Sequence, residues 1–453
     1  MTMVRKIILL YIALNATIFG IELNASETQI FKKSKYPLVS KYLAQETINN
    51  LNAYIKFPLA FGYDHTMTES LEQFSFQKLP REDIAKCLVN SKCEVEIIGI
   101  PEEILLSYAD ELGYQKSLLR KINFKHNPRI KEYNYRRPTF FDYKDKTRGK
   151  SKLIVSIISG KDFIKHYSSI IRYAIMRLSN RYDLSKIKVR TFPEMETGLA
   201  QWTGLDHNFI YPNEIVIIGH VNEIDDFISK NANKGDWIKI NEHHNYYYGS
   251  RRYRYKNQVN INFLGSRHSF WGDMSGILAY QIAKLGTKSL IYAAKLGTIE
   301  SPDAIYNTIY SPDKFLILDY NRSVAQLYDV KNEFKEGNHG VHHGTHVSIP
   351  TIHEQDFIQR HIAVGLGAQS IDNEISHIAN NISNVNKETG SDTSFSPIHF
   401  ATDYLRSRDE ALIKISHDLS NNRSKTAFSK KVKILERISQ KILDLLDSKC
   451  KEI

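Results

Sequence analysis

The stretch EIVIIGHVNEIDDF, residues 214–227, runs an apolar segment into a glycine and then into an acidic helix start. A short, uniformly apolar run rich in Ile and Val reads as a strand buried on both faces, and such strands belong to sheets covered by helices. The same alternation extends in both directions. Upstream, KLIVSIISG (152–160), an amphipathic segment from Phe163 to Leu178 and KIKVRTF (186–192) give strand, helix, strand. Downstream come the strand VNINFLG (259–265), the helix SGILAYQIAKLG (275–286) and the strands KSLIYAAKLG (288–297), KFLILDY (314–320) and THVSIPT (345–351). The helix IDNEISHIANNIS (371–383), the strand PIHFATDY (397–404) and an amphipathic helix from Lys430 to Leu446 follow. The predicted fold class is α/β, a mostly parallel mixed sheet flanked by helices, with an N-terminal accessory region.

With 453 residues, 42% of them hydrophobic, the chain is too long for one typical core and apolar enough for two. The formal charge of +11 favours acidic partners such as phosphates, nucleic acid or anionic lipid and says nothing about fold. At the start, Arg5 and Lys6 precede an uncharged run from Ile7 to Gly20. That run is shorter than the roughly 20 apolar residues of a membrane helix, so residues 1–25 are expected to be a signal peptide and the protein secreted or periplasmic. An uncleaved anchor is the alternative. Of three cysteines, Cys87 and Cys93 either close a short disulfide loop or are buried free thiols, and Cys450 is left over. So low a count excludes a disulfide scaffold, and no CxxC pair suggests structural zinc.

Polar, aromatic and basic residues fill HNPRIKEYNYRRPTFFDYKDKTRGK (126–150), which marks a linker or extended arm. Residues 26–150 are thus expected to be an accessory region, 151–205 a strand–helix–strand segment joined to the main domain, and 206–453 the main domain. In open α/β sheets ligands bind beyond the carboxyl ends of the strands. Those ends carry Gly219-His220-Val221-Asn222-Glu223, Gly265-Ser266-Arg267-His268, Lys295-Leu296-Gly297-Thr298 and Thr402-Asp403, and Ser370-Ile371-Asp372-Asn373-Glu374 is expected to open a helix.

In that order and spacing, residues 214–446 resemble the nucleoside phosphorylase and nucleosidase superfamily, whose members cleave the N-glycosidic bond of nucleosides. EIVIIGHVNEIDDF matches the family's first strand, YAAKLGTI stands for its pattern N-T-G-S-A-G-G-L, SIDNE for its S-x-D-M-E, and ATDY for its strand ending in S-D. The resemblance implies that Asp403 is the general acid toward a purine ring nitrogen, that Glu374 accepts hydrogen bonds from ribose hydroxyls and favours a cationic transition state, and that Glu223 orients the nucleophile. Water, or phosphate as co-substrate, would attack; no other cofactor is implied, and a homo-oligomer is. Arg267, His268, Lys295, Gly297, Asn373 and Trp271 complete the expected ligand set, the basic ones to hold an anion and Trp271 to stack on a base. Lys295 and Asn373 depart from the family pattern, so a binding or effector protein that kept the fold and lost turnover is the competing expectation.

Two further segments stand outside that set. NHGVHHGTH (338–346) gathers four histidines without a fixed ligand spacing, and a ligand-covering loop is preferred to a metal site. YYYGSRRYRYK (246–256) interleaves Arg and Tyr around Gly249-Ser250 and reads as a hairpin, either an edge protected by arginines or, with the basic arm near Arg136, a nucleic-acid surface.

Overall fold

The computed structural model describes residues 39–55, 66, 79–90, 92–122, 138–147, 149–178, 183–233, 235–326, 330–334, 340–413, 415 and 425–452. The expected signal peptide, most of the basic arm with Arg136, and His339 lie outside the described residues. Among the described residues seventeen strands are assigned: β1 (Thr47–Asn50), β2 (Cys93–Ile98), β3 (Leu119–Lys121), β4 (Thr139–Asp145), β5 (Lys150–Ser156), β6 (Ile187–Thr191), β7 (Ile215–Gly219), β8 (Trp237–His244), β9 (Tyr248–Tyr255), β10 (Val259–Ser266), β11 (Ser289–Thr298), β12 (Ile309–Tyr310), β13 (Lys314–Leu318), β14 (Val324–Gln326), β15 (Thr345–Ser348), β16 (Ala368–Asp372) and β17 (Ser394–Tyr404). The longer helices are α1 (Arg81–Val89), α2 (Lys161–Leu178), α3 (Val221–Asn231), α4 (Asp273–Lys284), α5 (Phe357–Gly365), α6 (Ile375–Thr389) and α7 (Lys425–Glu452). Among the described residues no helix is long and apolar enough to cross a membrane.

Two sheets form. The smaller has the order β1-β6-β2-β5-β4-β3, and the larger runs β14-β13-β15-β16-β11-β7-β10-β9-β8 with β17 attached at β11 and β12 on β17. The strand–helix–strand segment expected to join the main domain instead gives β5 and β6 to the smaller sheet, where both pair with β2 in parallel. Its helix α2 then bridges, packing on α4 of the larger unit.

The larger sheet is mixed rather than mostly parallel, with five parallel and five antiparallel strand pairs. Tight turns cause part of this, since strands joined by a few residues can only run antiparallel. Asn245 Oδ1 accepts the backbone N–H groups of Tyr247 (2.7 Å) and Tyr248 (2.8 Å), which turns β8 into β9. Lys256 and Asn257 take left-handed φ angles of 48° and 58° and turn β9 into β10. Gly249-Ser250 therefore sits inside β9, not at the hairpin turn that its composition suggested. Two of this strand's three arginines are held by carboxylates: Arg252 Nε lies 3.1 Å from Glu214 Oε2 with both side chains 1% exposed, and Arg251 Nε lies 3.1 Å from Asp225 Oδ2, while Arg254 is exposed.

One face of the larger sheet packs with α3 and α7 through Ile217, Ile224, Ile291, Phe400, Ile438 and Ile442. The other face shares a single apolar core with the smaller sheet, running from Val95 and Ile154 through Phe163 and Met274 to Leu290 and Ile378.

Candidate active site at the end of the central strand

β11 pairs in parallel with both β7 and β17, which explains why its sequence is apolar on both faces until its last turn of chain. There the pattern breaks. Lys295 is exposed, although its register partner Phe400 is fully buried, so the sheet opens to solvent at this point. The pairing with β17 then slips between Leu296 and Gly297, a bulge of the kind that re-aims side chains next to active sites. Gly297 stands opposite Asp403, and a Cβ in its place would lie 2.8 Å from Asp403 Oδ2 and 2.7 Å from Leu405 Cδ1. Only glycine leaves the Asp403 carboxyl this room. Thr402 Oγ1 donates to Asp403 Oδ1 at 2.7 Å.

Glu374 arrives from β16. Ser370 to Asp372 end that strand rather than opening a helix, and α6 begins one residue after Glu374. Asp372 caps it, accepting the N–H groups of Glu374 (2.9 Å) and Ile375 (3.0 Å). His346 Nε2 at 2.8 Å and Ser348 Oγ at 2.6 Å complete the shell of Asp372, while Ser370 Oγ lies 2.8 Å from His346 Nδ1. Burial opposes ionisation of Asp372, but His346 and Ser348 outweigh it and hold the carboxyl at about 2. The consequence falls on Glu374, whose pKa is raised well above the usual range by burial and by the Asp372 charge, with Lys295 pulling the other way. Glu374 therefore keeps its proton to higher pH than an ordinary carboxyl group does. Asn373 Nδ2 donates to Ile349 O at 2.6 Å, which fixes the strand–helix corner instead of pointing to a ligand.

The third arm comes from β7. Gly219 has φ +99°, and a Cβ there would sit 2.0 Å from Ala293 O; the next residue, His220, donates its N–H to that same oxygen at 2.8 Å. His220 Nδ1 and Lys431 Nζ lie 3.5 and 3.6 Å from Glu223 Oε1. Burial lowers the His220 pKa, and the charges of Lys431 and Lys295 add to this, so the imidazole stays neutral. Burial would raise Glu223, but the His220 hydrogen bond and the Lys431 charge hold it at about 2. The Lys295 charge acts on His220 and on Glu374 alike. Beneath them His399 is fully buried, 4.7 Å from the Tyr292 ring, and burial pushes it down to about 3.

The structure thus brings Glu223, Lys295, Gly297, Glu374 and Asp403 to one end of β11. It takes three expected residues elsewhere. Arg267 stacks on Tyr246 at 4.3 Å, His268 Nε2 lies 3.4 Å from Glu103 Oε1, and Trp271 stacks on Phe163 at 4.2 Å. His268 and Trp271 thus face the N-terminal unit, while Arg267 lies on the β8–β9 turn. Lys431 and Tyr292 were missed from the sequence, and His220 and Asp372 stood in the strand-end groups without a role. Lys431 lies far along the chain in a lysine-rich helix, where no local signal separates it from solvated neighbours. Of the clustered histidines, His342 approaches Glu300 (3.3 Å), His343 meets Ser311 O (2.8 Å) and His346 is buried on Asp372. Among the described residues no group of three such side chains is placed to hold a metal ion.

No family model matches the chain. A curated relative, oxidoreductase cns1 of Cordyceps militaris, is 26% identical over 394 residues, covering 84% of this chain and 48% of that protein. The chain spans about half the length of that relative. Solved structures of similar fold include the Arabidopsis thaliana 5'-methylthioadenosine nucleosidase (11% identity, 52% of this chain and 95% of that one, TM-score 0.35) and futalosine hydrolase of Helicobacter pylori (11%, 52% and 99%, TM-score 0.37). Uridine phosphorylase from Vibrio fischeri matches at 14% identity over 54% of this chain and 94% of its own, with a TM-score of 0.37. These are members of the nucleoside phosphorylase and nucleosidase superfamily that the sequence motifs resemble.

Proposed function

We propose that the protein binds a nucleoside and cleaves its N-glycosidic bond at the end of β11. One observation carries the reading: two carboxyl groups displaced in opposite directions, Glu223 held low and Glu374 pushed up, stand at the end of β11 where Asp403 is set over a glycine and Lys295 is exposed. Such a set suits a reaction that builds positive charge on a sugar and negative charge on a departing base. In this reading water adds its oxygen to the anomeric carbon as the C–N bond breaks, and the bonding pair leaves with the base, which takes a proton from Asp403. Glu223 accepts a hydrogen bond from the attacking water, orients it and passes the proton that the water loses on to solvent, from which Asp403 is reprotonated. Phosphate would take the place of water if Lys295 and Lys431 hold it beside Glu223.

The purified chain is expected to release free base from at least one purine nucleoside, measured by chromatography with and without phosphate. Binding of nucleosides without release would favour the effector reading, for which Lys295 in the family's small-residue position is the supporting observation. No binding and no release from purine or pyrimidine nucleosides would end both.

Export is part of the same proposal. The disulfide between Cys87 and Cys93 supports it, since such bonds persist in oxidising compartments. Protein recovered from outside the cytoplasm is expected to lack its first 20 to 25 residues and, denatured without reductant, to take one thiol label, at Cys450. A chain that begins at Met1 and takes three labels would contradict this.

A further inference from the structure

The contact between the two units holds carboxyl groups that the proposed reaction does not use. Helices α2, α4 and α6, one from the smaller unit and two from the larger, begin close together. Asp273 accepts the backbone N–H groups of Lys161 (Oδ2, 2.9 Å) and Asp162 (Oδ1, 3.2 Å), and Asp162 Oδ2 accepts the N–H of Asp273 at 2.8 Å. Each aspartate therefore satisfies the helix start of the opposite unit, the role that an N-cap side chain ordinarily fills for its own helix. The approach depends on Gly272, at φ +64°, where a Cβ would lie 2.7 Å from Asp162 Cβ.

The same spot touches the candidate active site. Ser275 Oγ, in the first turn of α4, lies 3.4 Å from the backbone oxygen of Glu374. His377, one turn into α6, has Nε2 3.7 Å from Asp162 Oδ2, and Gly276 on α4 packs so closely that a Cβ would sit 2.6 Å from His377 O. We propose that Asp162 and Asp273 form a two-way clasp through which the N-terminal unit positions the start of α6, and with it Glu374. The consequence for turnover rests on the nucleoside reading above; the mechanical link does not.

The clasp carries a pH dependence with a defined sign. Burial pushes Asp162 up to about 6; burial, with the Asp162 charge adding, does the same for Asp273. The groups facing them are Lys161 and Lys165 on α2, Tyr54, Glu196 before α4, His377 on α6, and Tyr320 and Glu354 from the larger unit. Glu196 and Glu354 are themselves raised to about 8, again by burial first. Carboxyl groups raised above their unfolded values contribute stability that is complete below about pH 4 and is lost as pH climbs through 6 and then 8. The clasp is tight in mild acid and loosens toward alkaline pH.

Amide hydrogen exchange on the full chain tests this, read as protection factors between pH 5.5 and 8.5 for wild type, Asp162→Ala and Asp162→Asn. Wild-type protection at Glu374–Ile378 is expected to fall as pH rises. Asp162→Ala should lower it about fivefold or more at every pH, the effect of a lost cap. Asp162→Asn, which keeps an acceptor and removes the charge, should hold protection while flattening its fall between pH 5.5 and 7. If nucleosides are turned over, Asp162→Ala should lower kcat more than it raises KM. A loss of protection confined to α2 and α4, with Glu374–Ile378 unchanged, overturns the proposal even if wild type is active; absence of turnover overturns only the nucleoside reading, because exchange still decides the clasp.

Discussion

Glu374→Gln is expected to lower kcat for nucleoside cleavage roughly a hundredfold with little change in KM, while raising the melting temperature at neutral pH. The two effects share a cause. Burial and the Asp372 charge raise the folded carboxyl above its unfolded value, so folding takes up protons at a group that is ionised in the unfolded chain at pH 7. That linkage costs stability which increases with pH until the folded pKa is reached, and glutamine removes it. As positive charge develops on the sugar, however, the raised carboxyl can ionise and glutamine cannot. Wild-type kcat should accordingly rise with pH over a range where the variant is flat. Equal kcat in the two proteins would remove Glu374 from the chemistry, and a lower melting temperature would contradict its raised pKa. Asp403→Asn provides a companion measurement: as the donor to the base, it should lose rate without the stability gain.

Arg252→Ala is expected to destabilise the fold by about 3–5 kcal/mol, because it leaves Glu214 buried without its cation. The surroundings of Glu214 make this severe: Asn262 Nδ2 (2.7 Å) and the N–H of Tyr211 (2.8 Å) also point at the carboxylate, and the guanidinium lies 3.6 Å over the Tyr211 ring. Replacing both partners with apolar residues of similar size, Arg252→Met with Glu214→Leu, should recover most of the loss. Urea denaturation of the three proteins checks it. A fall of less than 1 kcal/mol for Arg252→Ala would return this arginine to the pool available for nucleic acid. A steep salt dependence of oligonucleotide binding would then become the relevant measurement.

How far the sequence carried differs by element. Strand runs such as EIVIIGHV and PIHFATDY were legible because burial on both faces forces uninterrupted apolar residues, and their ends pointed to Glu223, Lys295, Gly297 and Asp403. The direction of neighbouring strands was not legible, since β9 and β10 look as apolar on one face as parallel strands do, and only turn chemistry at Asn245 and Lys256-Asn257 reverses them. The small sheet was invisible for another reason: β2, β5 and β6 are separated by up to a hundred residues, and nothing local says that KLIVSIISG pairs with CEVEII. The electrostatic states were out of reach altogether. The raised state of Glu374 depends on Asp372 of β16 meeting His346 and Ser348 of the neighbouring β15, whereas the sequence offered only the order of the motifs.

The shared apolar core has a consequence for how this chain can be divided. Met195, Leu199 and Trp202, in short helices ahead of residue 206, are fully buried in the same cluster as Leu278 and Ile282 of α4. A cut at the boundary suggested by composition would expose that interior on both fragments and strip two helices of their caps. The two sheets are consequently architectural units but one cooperative unit of folding, and heat should melt them in a single transition. A substitution that opens a cavity along the seam, such as Trp202→Ala, should therefore destabilise both halves together.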